Sequence, residues 1–233
     1  MLIVDNDVLL VERQLRQGRL SCPSCGAALA PWGHGRPREI RGDLGARLFL
    51  RPRRTRCPGC KVTHMLLAEA FWPRRADAAV VIGAGLEIAA LGMGHRQVAA
   101  HLGLAEGTVR GWLRAFAGRA EDIRRYFTVA LVALADDPVM PDATPSTLAD
   151  AVAAVAAAHR APSTRWPQML TVSRWEFAGR AIGGRLLTSP SIANRSTRAA
   201  PGRDRRVPEV LIVSAGEAAG SVRDARWVAY VTE

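Results

Sequence analysis

Four cysteines fall in two close pairs, Cys22 and Cys25 in "CPSCG" and Cys57 and Cys60 in "RCPGCK". A single C-x2-C can be a redox couple, half of a disulfide framework or half of a metal site. Two pairs, 31 residues apart, supply the four thiolates that structural zinc takes in a tetrahedron at about 2.3 Å. A redox pair comes singly beside a βαβ pattern, which this sequence lacks. The opening "MLIVDNDVLL" has no positive region and carries Asp5 and Asp7, a poor signal peptide. A cytoplasmic, reducing location is therefore expected, and it disfavours disulfides. Each pair has proline after its first cysteine and small residues that let the chain turn toward sulfur. The segment between the pairs has room for a β-hairpin, and the run "RLFLRPRRTRC" is expected to lead back as a strand, the layout of a zinc ribbon. His34 and His64 stand close enough in sequence to be rival ligands. With four protein ligands the metal keeps no open position, so its expected role is structural.

Positive charge is concentrated around these cysteines. The 233 residues carry a formal charge of +11, and residues 11–75 hold 14 Arg/Lys against 4 Asp/Glu, a net of +10. Lys61 is the only lysine, so the preference for arginine itself is a coding bias and not a function. Four thiolates and one Zn²⁺ carry −2, which leaves most of the excess unneutralised. Arg51, Arg53, Arg54, Arg56 and Lys61 crowd one short stretch, where like charges repel unless a polyanion meets them. The bland alternative is a solvated basic face.

A second pattern lies at 95–114, "HRQVAAHLGLAEGTVRGWLR". A helix-turn-helix needs a small residue where its helices cross, a glycine in the turn and apolar residues between the helices. Ala99, Gly103 and the set Val98, Leu102, Leu104, Val109 and Trp112 meet those needs. The second helix, expected over about 106–116, would present Glu106, Gly107, Thr108, Arg110, Gly111 and Arg114 outward, with Arg96 on the helix before. Arg110 and Arg114 lie one turn apart and suit guanine edges or phosphates. Glu106 suits cytosine N4 or, equally, the positive end of the helix dipole. Gly107 and Gly111 each cost about 1 kcal/mol against alanine in a helix, and together form a smooth strip.

The elements that must position these residues read as α+β, mainly α: a small β zinc ribbon, then a helix-turn-helix domain, then a helical, partly disordered C-terminal region. Residues 1–18 contain an N-terminal helix, expected at 6–17 and ended by Gly18. Residues 19–70 form the ribbon, with β-like runs near 38–41, 47–51 and 62–67. Residues 71–134 form the helix-turn-helix domain, flanked by helices near 76–91 and 120–134. Residues 135–187 hold a linker and helical extension, with Thr144 and Pro145 as N-cap and first position of an alanine-rich helix and a further helix over 167–182. Residues 188–233 have a loop-like or disordered composition and two β-like runs, "EVLIV" and "RWVAYV". No apolar run nears the roughly 18 residues of a membrane span.

No catalytic centre is expected. Asp136, Asp137, Asp142 and Asp150 follow the helical domain, but no strand scaffold surrounds them to group carboxylates around metal ions. "CPSCG…RCPGCKVTH" followed by "GHRQVAAHLGLAEGTVRGWLRAF" resembles the N-terminal DNA-binding part of bacterial insertion-sequence transposases. It resembles still more the short zinc-ribbon/helix-turn-helix proteins related to them, over about residues 19–134. The resemblance implies Cys22, Cys25, Cys57 and Cys60 as zinc ligands and a recognition helix at 106–116. Those transposases continue into a large catalytic core, and no such core is expected within these 233 residues. The expected partner is double-stranded DNA, with a transposase or other protein and a second copy of the chain as further partners. The expected role is a mobile-element accessory or transcriptional regulator. A protein-binding ribbon adaptor and a truncated transposase stay open as alternatives.

Overall fold

A computed structural model describes residues 1–163 and 171–188. The N-terminal part of the helix expected over 167–182, and the runs "EVLIV" and "RWVAYV", lie outside the described residues.

The chain is α+β and mainly α. It begins with β1 (Leu2–Val4) and α1 (Val8–Arg16). Asp7 caps α1, its Oδ1 accepting from the N–H groups of Leu9 and Leu10 at 2.8 and 3.1 Å. Gly18, at φ +65°, follows the helix end. Five further strands follow: β2 (Ala30–His34), β3 (Arg38–Arg41), β4 (Arg47–Leu50), β5 (Arg53–Arg56) and β6 (Thr63–Ala68). One sheet has the order β1-β6-β5-β2, with β1 parallel to β6 and the other pairs antiparallel. β3 and β4 form a separate hairpin that pairs Glu39 with Phe49 and Arg41 with Arg47. Pro52 interrupts the chain between β4 and β5, so the single returning run expected before Cys57 is divided between two sheets.

α1 packs on one face of the larger sheet because Val11 and Leu15 are four residues apart on one side of the helix. They join Val4, Leu29, Leu66, Cys22 and Cys57 in a small core. The cysteine turns are thus built into a hydrophobic base.

The larger core belongs to the helices. α2 (Ala79–Ala90) is apolar almost all round and lies centrally. α3 (His95–Leu102) ends at Gly103 in the left-handed conformation, φ +64°. α4 (Glu106–Ala117) and α5 (Ala120–Leu134) follow. α5 buries Ile123, Phe127 and Leu131 and packs along α6 (Thr147–Arg160), whose alanines permit a close approach. Ser146, not Thr144, caps α6: its hydroxyl accepts from the N–H of Ala149 at 3.1 Å. The Asp150 carboxylate takes both the N–H and the hydroxyl of Thr144, at 2.7 and 2.8 Å, and so leaves the cap to Ser146. α7 (Arg174–Ala181) opens with a capping box between Ser173 and Glu176.

α6 and α7 build the same core as α2–α5, which runs from Ile40 to Leu187. Trp175 of α7 lies edge-on to Trp72 and Phe116 at 6.2 and 6.3 Å. It fits only because position 83 is glycine: a Cβ there would stand 2.0 Å from the indole. Gly179 gives Trp72 the same room, its own Cβ position lying 2.5 Å from the indole nitrogen. Arg180 then reaches Glu69 at 3.1 Å and Asp5 at 3.7 Å, tying α7 to the sheet. Burial pushes the Glu69 carboxyl above its ordinary pKa, and Arg180 opposes that rise. No described helix is long and apolar enough to cross a membrane.

Candidate metal centre and exposed basic faces

Each cysteine pair sits on a tight turn closed by the backbone. The N–H of Gly26 donates to the Cys22 carbonyl at 2.8 Å, and that of Lys61 to the Cys57 carbonyl at 3.0 Å. The residue four after the first cysteine is left-handed in both turns, Gly26 at φ +75° and Lys61 at φ +62°. Lysine therefore occupies a conformation that glycine adopts more readily. The two turns bring all four sulfurs within 4.8 Å of one another, with Cys22–Cys60 at 3.6 Å and Cys25–Cys57 at 3.4 Å. Cys22 and Cys57 are buried, Cys25 and Cys60 exposed.

The four sulfurs are grouped so that they could hold a metal ion, and their thiols are perturbed in opposite directions. The Cys60 N–H, which points at the Cys57 sulfur, draws that thiol down to about 6. For Cys22, burial opposes ionisation, but the N–H groups of Ser24 and Cys25 outweigh it and the pKa falls. Cys60 moves the other way, to about 12: the Val62 N–H favours its thiolate, but burial and the three neighbouring sulfurs prevail. Four thiolates cannot share this space unless a metal ion compensates them. His64 is buried, and its Nε2 lies 3.3 Å from the Cys22 sulfur. His34 is exposed at the end of β2, opposite Arg53. Neither histidine belongs to the group of four that could hold a metal.

The basic residues beside the second turn divide by strand register. Along β5, Arg53 and Thr55 face α1 while Arg54 and Arg56 face away. Arg53 is largely covered, forms an ion pair with Glu12 at 2.6 Å and donates to the Gly33 carbonyl at 2.7 Å. It is thus a structural link between β5 and α1. Arg54 and Arg56 have no carboxylate partner among the described residues. Arg51 and Lys61 are exposed. Trp32 on β2, which sequence reasoning passed over inside a loop-like "PWGHGR", stands half exposed with the Arg56 guanidinium 4.8 Å from its ring centroid.

α3 and α4 are joined by a three-residue turn at 103–105. Val98, Ala99, Val109, Trp112 and Phe116 are buried between them and α2. The opposite side of α4 exposes Glu106, Gly107, Thr108, Arg110, Gly111 and Arg114. Glu106 is paired with Arg96 at 3.6 Å across the turn, both side chains well exposed. Arg110 and Arg114 have no carboxylate partner among the described residues, and they border an open groove of about 390 Å³ shared with Met93, Leu113 and Leu148. A Cβ added at Gly107 or Gly111 would meet nothing within 4 Å.

Residues 22–112, from the first cysteine to the middle of α4, match the family model of a domain of unknown function (DUF6431). No curated protein and no solved structure matches the chain.

Proposed function

We propose that this protein is a sequence-specific DNA-binding protein. A structural zinc held by Cys22, Cys25, Cys57 and Cys60 makes the β-sheet portion a zinc ribbon that contacts phosphates. α3 and α4 form a helix-turn-helix whose second helix enters the major groove. Tetrahedral zinc at about 2.3 Å from each sulfur sets the sulfurs about 3.8 Å apart, close to the 3.4 and 3.6 Å separations. The observation that carries the DNA reading is the division of α4. One face is fully used for packing, and the other keeps two unpaired arginines one turn apart beside two glycines that packing does not require. Arg110 and Arg114 would reach base edges or phosphates. Arg54, Arg56, Arg51 and Lys61 would supply affinity that does not depend on sequence. The resemblance to transposase-related proteins favours a mobile-element accessory or a transcriptional regulator.

The test is selection of duplexes from a random pool by the zinc-loaded chain, followed by salt titration of the selected site. Affinity should fall steeply with salt, and Arg110→Ala should change the selected sequence. Failure to retain any duplex at low salt would sink the reading.

A further inference from the structure

The larger sheet has one face covered by α1; the other is covered by the helical core at Ile3 and Leu67 and is turned outward along β5 and β2. Thr55 and Leu66 lie on the covered side, both buried. Strand alternation places Arg54, Arg56 and Thr63 on the other, and the contact with Arg56 places Trp32 beside them.

The fold gives no reason for Trp32. It lies on an edge strand whose five residues are all exposed, belongs to neither hydrophobic core and leaves 50% of its surface open. What holds it is Arg56, whose guanidinium over the ring favours a fixed orientation while leaving ring surface to solvent. The outcome is a flat apolar plate under the Arg56 guanidinium, with Arg54 two residues along the same strand face, and no described carboxylate neutralises either arginine. Arg53, one residue away on the same strand, is by contrast turned to the other face and paired with Glu12.

A duplex would satisfy the arginines but not the indole. Its bases are stacked on one another, and its sugar–phosphate edge offers no flat apolar surface. An unpaired base offers one, and its stacking on an aromatic side chain contributes about 1–3 kcal/mol with little dependence on sequence. A charged groove with an aromatic platform is the common form of single-strand recognition. We propose that this face binds single-stranded DNA, with an unpaired base stacked on Trp32 and its flanking phosphates held by Arg54 and Arg56. The proposal takes from the preceding section only that the polymer is DNA; it does not depend on α4.

Fluorescence anisotropy on the full zinc-loaded chain tests it with three probes: a blunt duplex, the same duplex with a ten-thymidine tail, and the tail alone. The tailed duplex should bind about 5- to 150-fold more tightly than the blunt one, the span expected for one stacked base. Trp32→Ala should remove that margin and leave blunt-duplex affinity unchanged, while Trp32→Phe should retain most of it. Equal zinc content and thermal melting of both variants will show that the ribbon is intact. Equal binding of tailed and blunt duplexes by the native chain overturns the proposal, as does a Trp32→Ala loss that is the same for both. Preference for a uridine ribonucleotide tail overturns DNA as the polymer. Binding of the tail without any binding of blunt duplex would remove the major-groove role of α4 and leave this proposal standing. The reverse result would remove this proposal alone.

Discussion

Replacing Gly107 and Gly111 by alanine separates stability from function on one helix. Gly111 lies in the interior of α4, where alanine is favoured by about 1 kcal/mol; Gly107, in the first turn, should yield about half of that. Neither new methyl group meets an atom within 4 Å, so no packing cost offsets the gain. The double variant should be more stable by about 1.5 kcal/mol, which raises Tm by about 3–6 °C in a domain of this size. If DNA approaches the helix closely at this strip, the same methyl groups should weaken binding to the selected duplex, by about tenfold for each 1.4 kcal/mol lost. Calorimetry or thermal melting reads the first effect and anisotropy the second. Gly83→Ala is the internal control: also a helical glycine, but one whose methyl group would lie 2.0 Å from the Trp175 ring. That variant should lose at least 1–3 kcal/mol through overpacking. A double variant that is less stable than the native chain would refute the reasoning from free space. One that is more stable and binds duplex unchanged would remove the glycine strip from the interface.

Other outcomes follow from the same geometry. Metal analysis should find one zinc ion per chain; Cys57→Ser should lose it, and a chelator should melt the small core that contains Cys22 and Cys57. Arg54→Ala and Arg56→Ala should each weaken all duplexes alike and lower the slope of log affinity against log salt by about 1, whereas Arg53→Ala should destabilise the sheet by removing its link to Glu12. The Nε2–H of His159 donates to the Val172 carbonyl at 2.8 Å, and burial lowers the ring's pKa below the ordinary 6.5. A lowered histidine contributes stability above the unfolded value and loses it as pH falls below about 6.5 through the folded value. His159→Gln should therefore show a shallower loss of Tm than the native chain across that window.

The cysteine cluster was legible in the sequence because it depends on local geometry: two short turns supply the four sulfurs, and the hairpin between them only has to bring the turns together. The helices around 95–134 were legible for a similar reason, since Val98, Val109, Trp112, Ile123 and Phe127 repeat at helical spacing and are all buried. Strands β1 and β2 did not show themselves, and β5 was not separated from the run that begins with β4. β2 is an exposed edge with Pro31 and Gly33, so no alternation marks it, and β5 hides its alternation in arginines, one of which is neutralised by Glu12 from another element. The docking of α7 was invisible because it depends on matching Trp175 to a gap at Gly83, and a sequence does not say which glycine faces which ring.

Glycine makes the general point. Gly103 is needed for its left-handed backbone and Gly83 for the space it leaves, and the fold accounts for both. In the sequence Gly111 looks the same as either, yet the structure assigns it neither conformation nor contact. The same subtraction isolates Trp32, Arg54 and Arg56 from the arginines and tryptophans that pair or pack. A residue that folding leaves unexplained, and that costs stability where it stands, is where a partner should be sought.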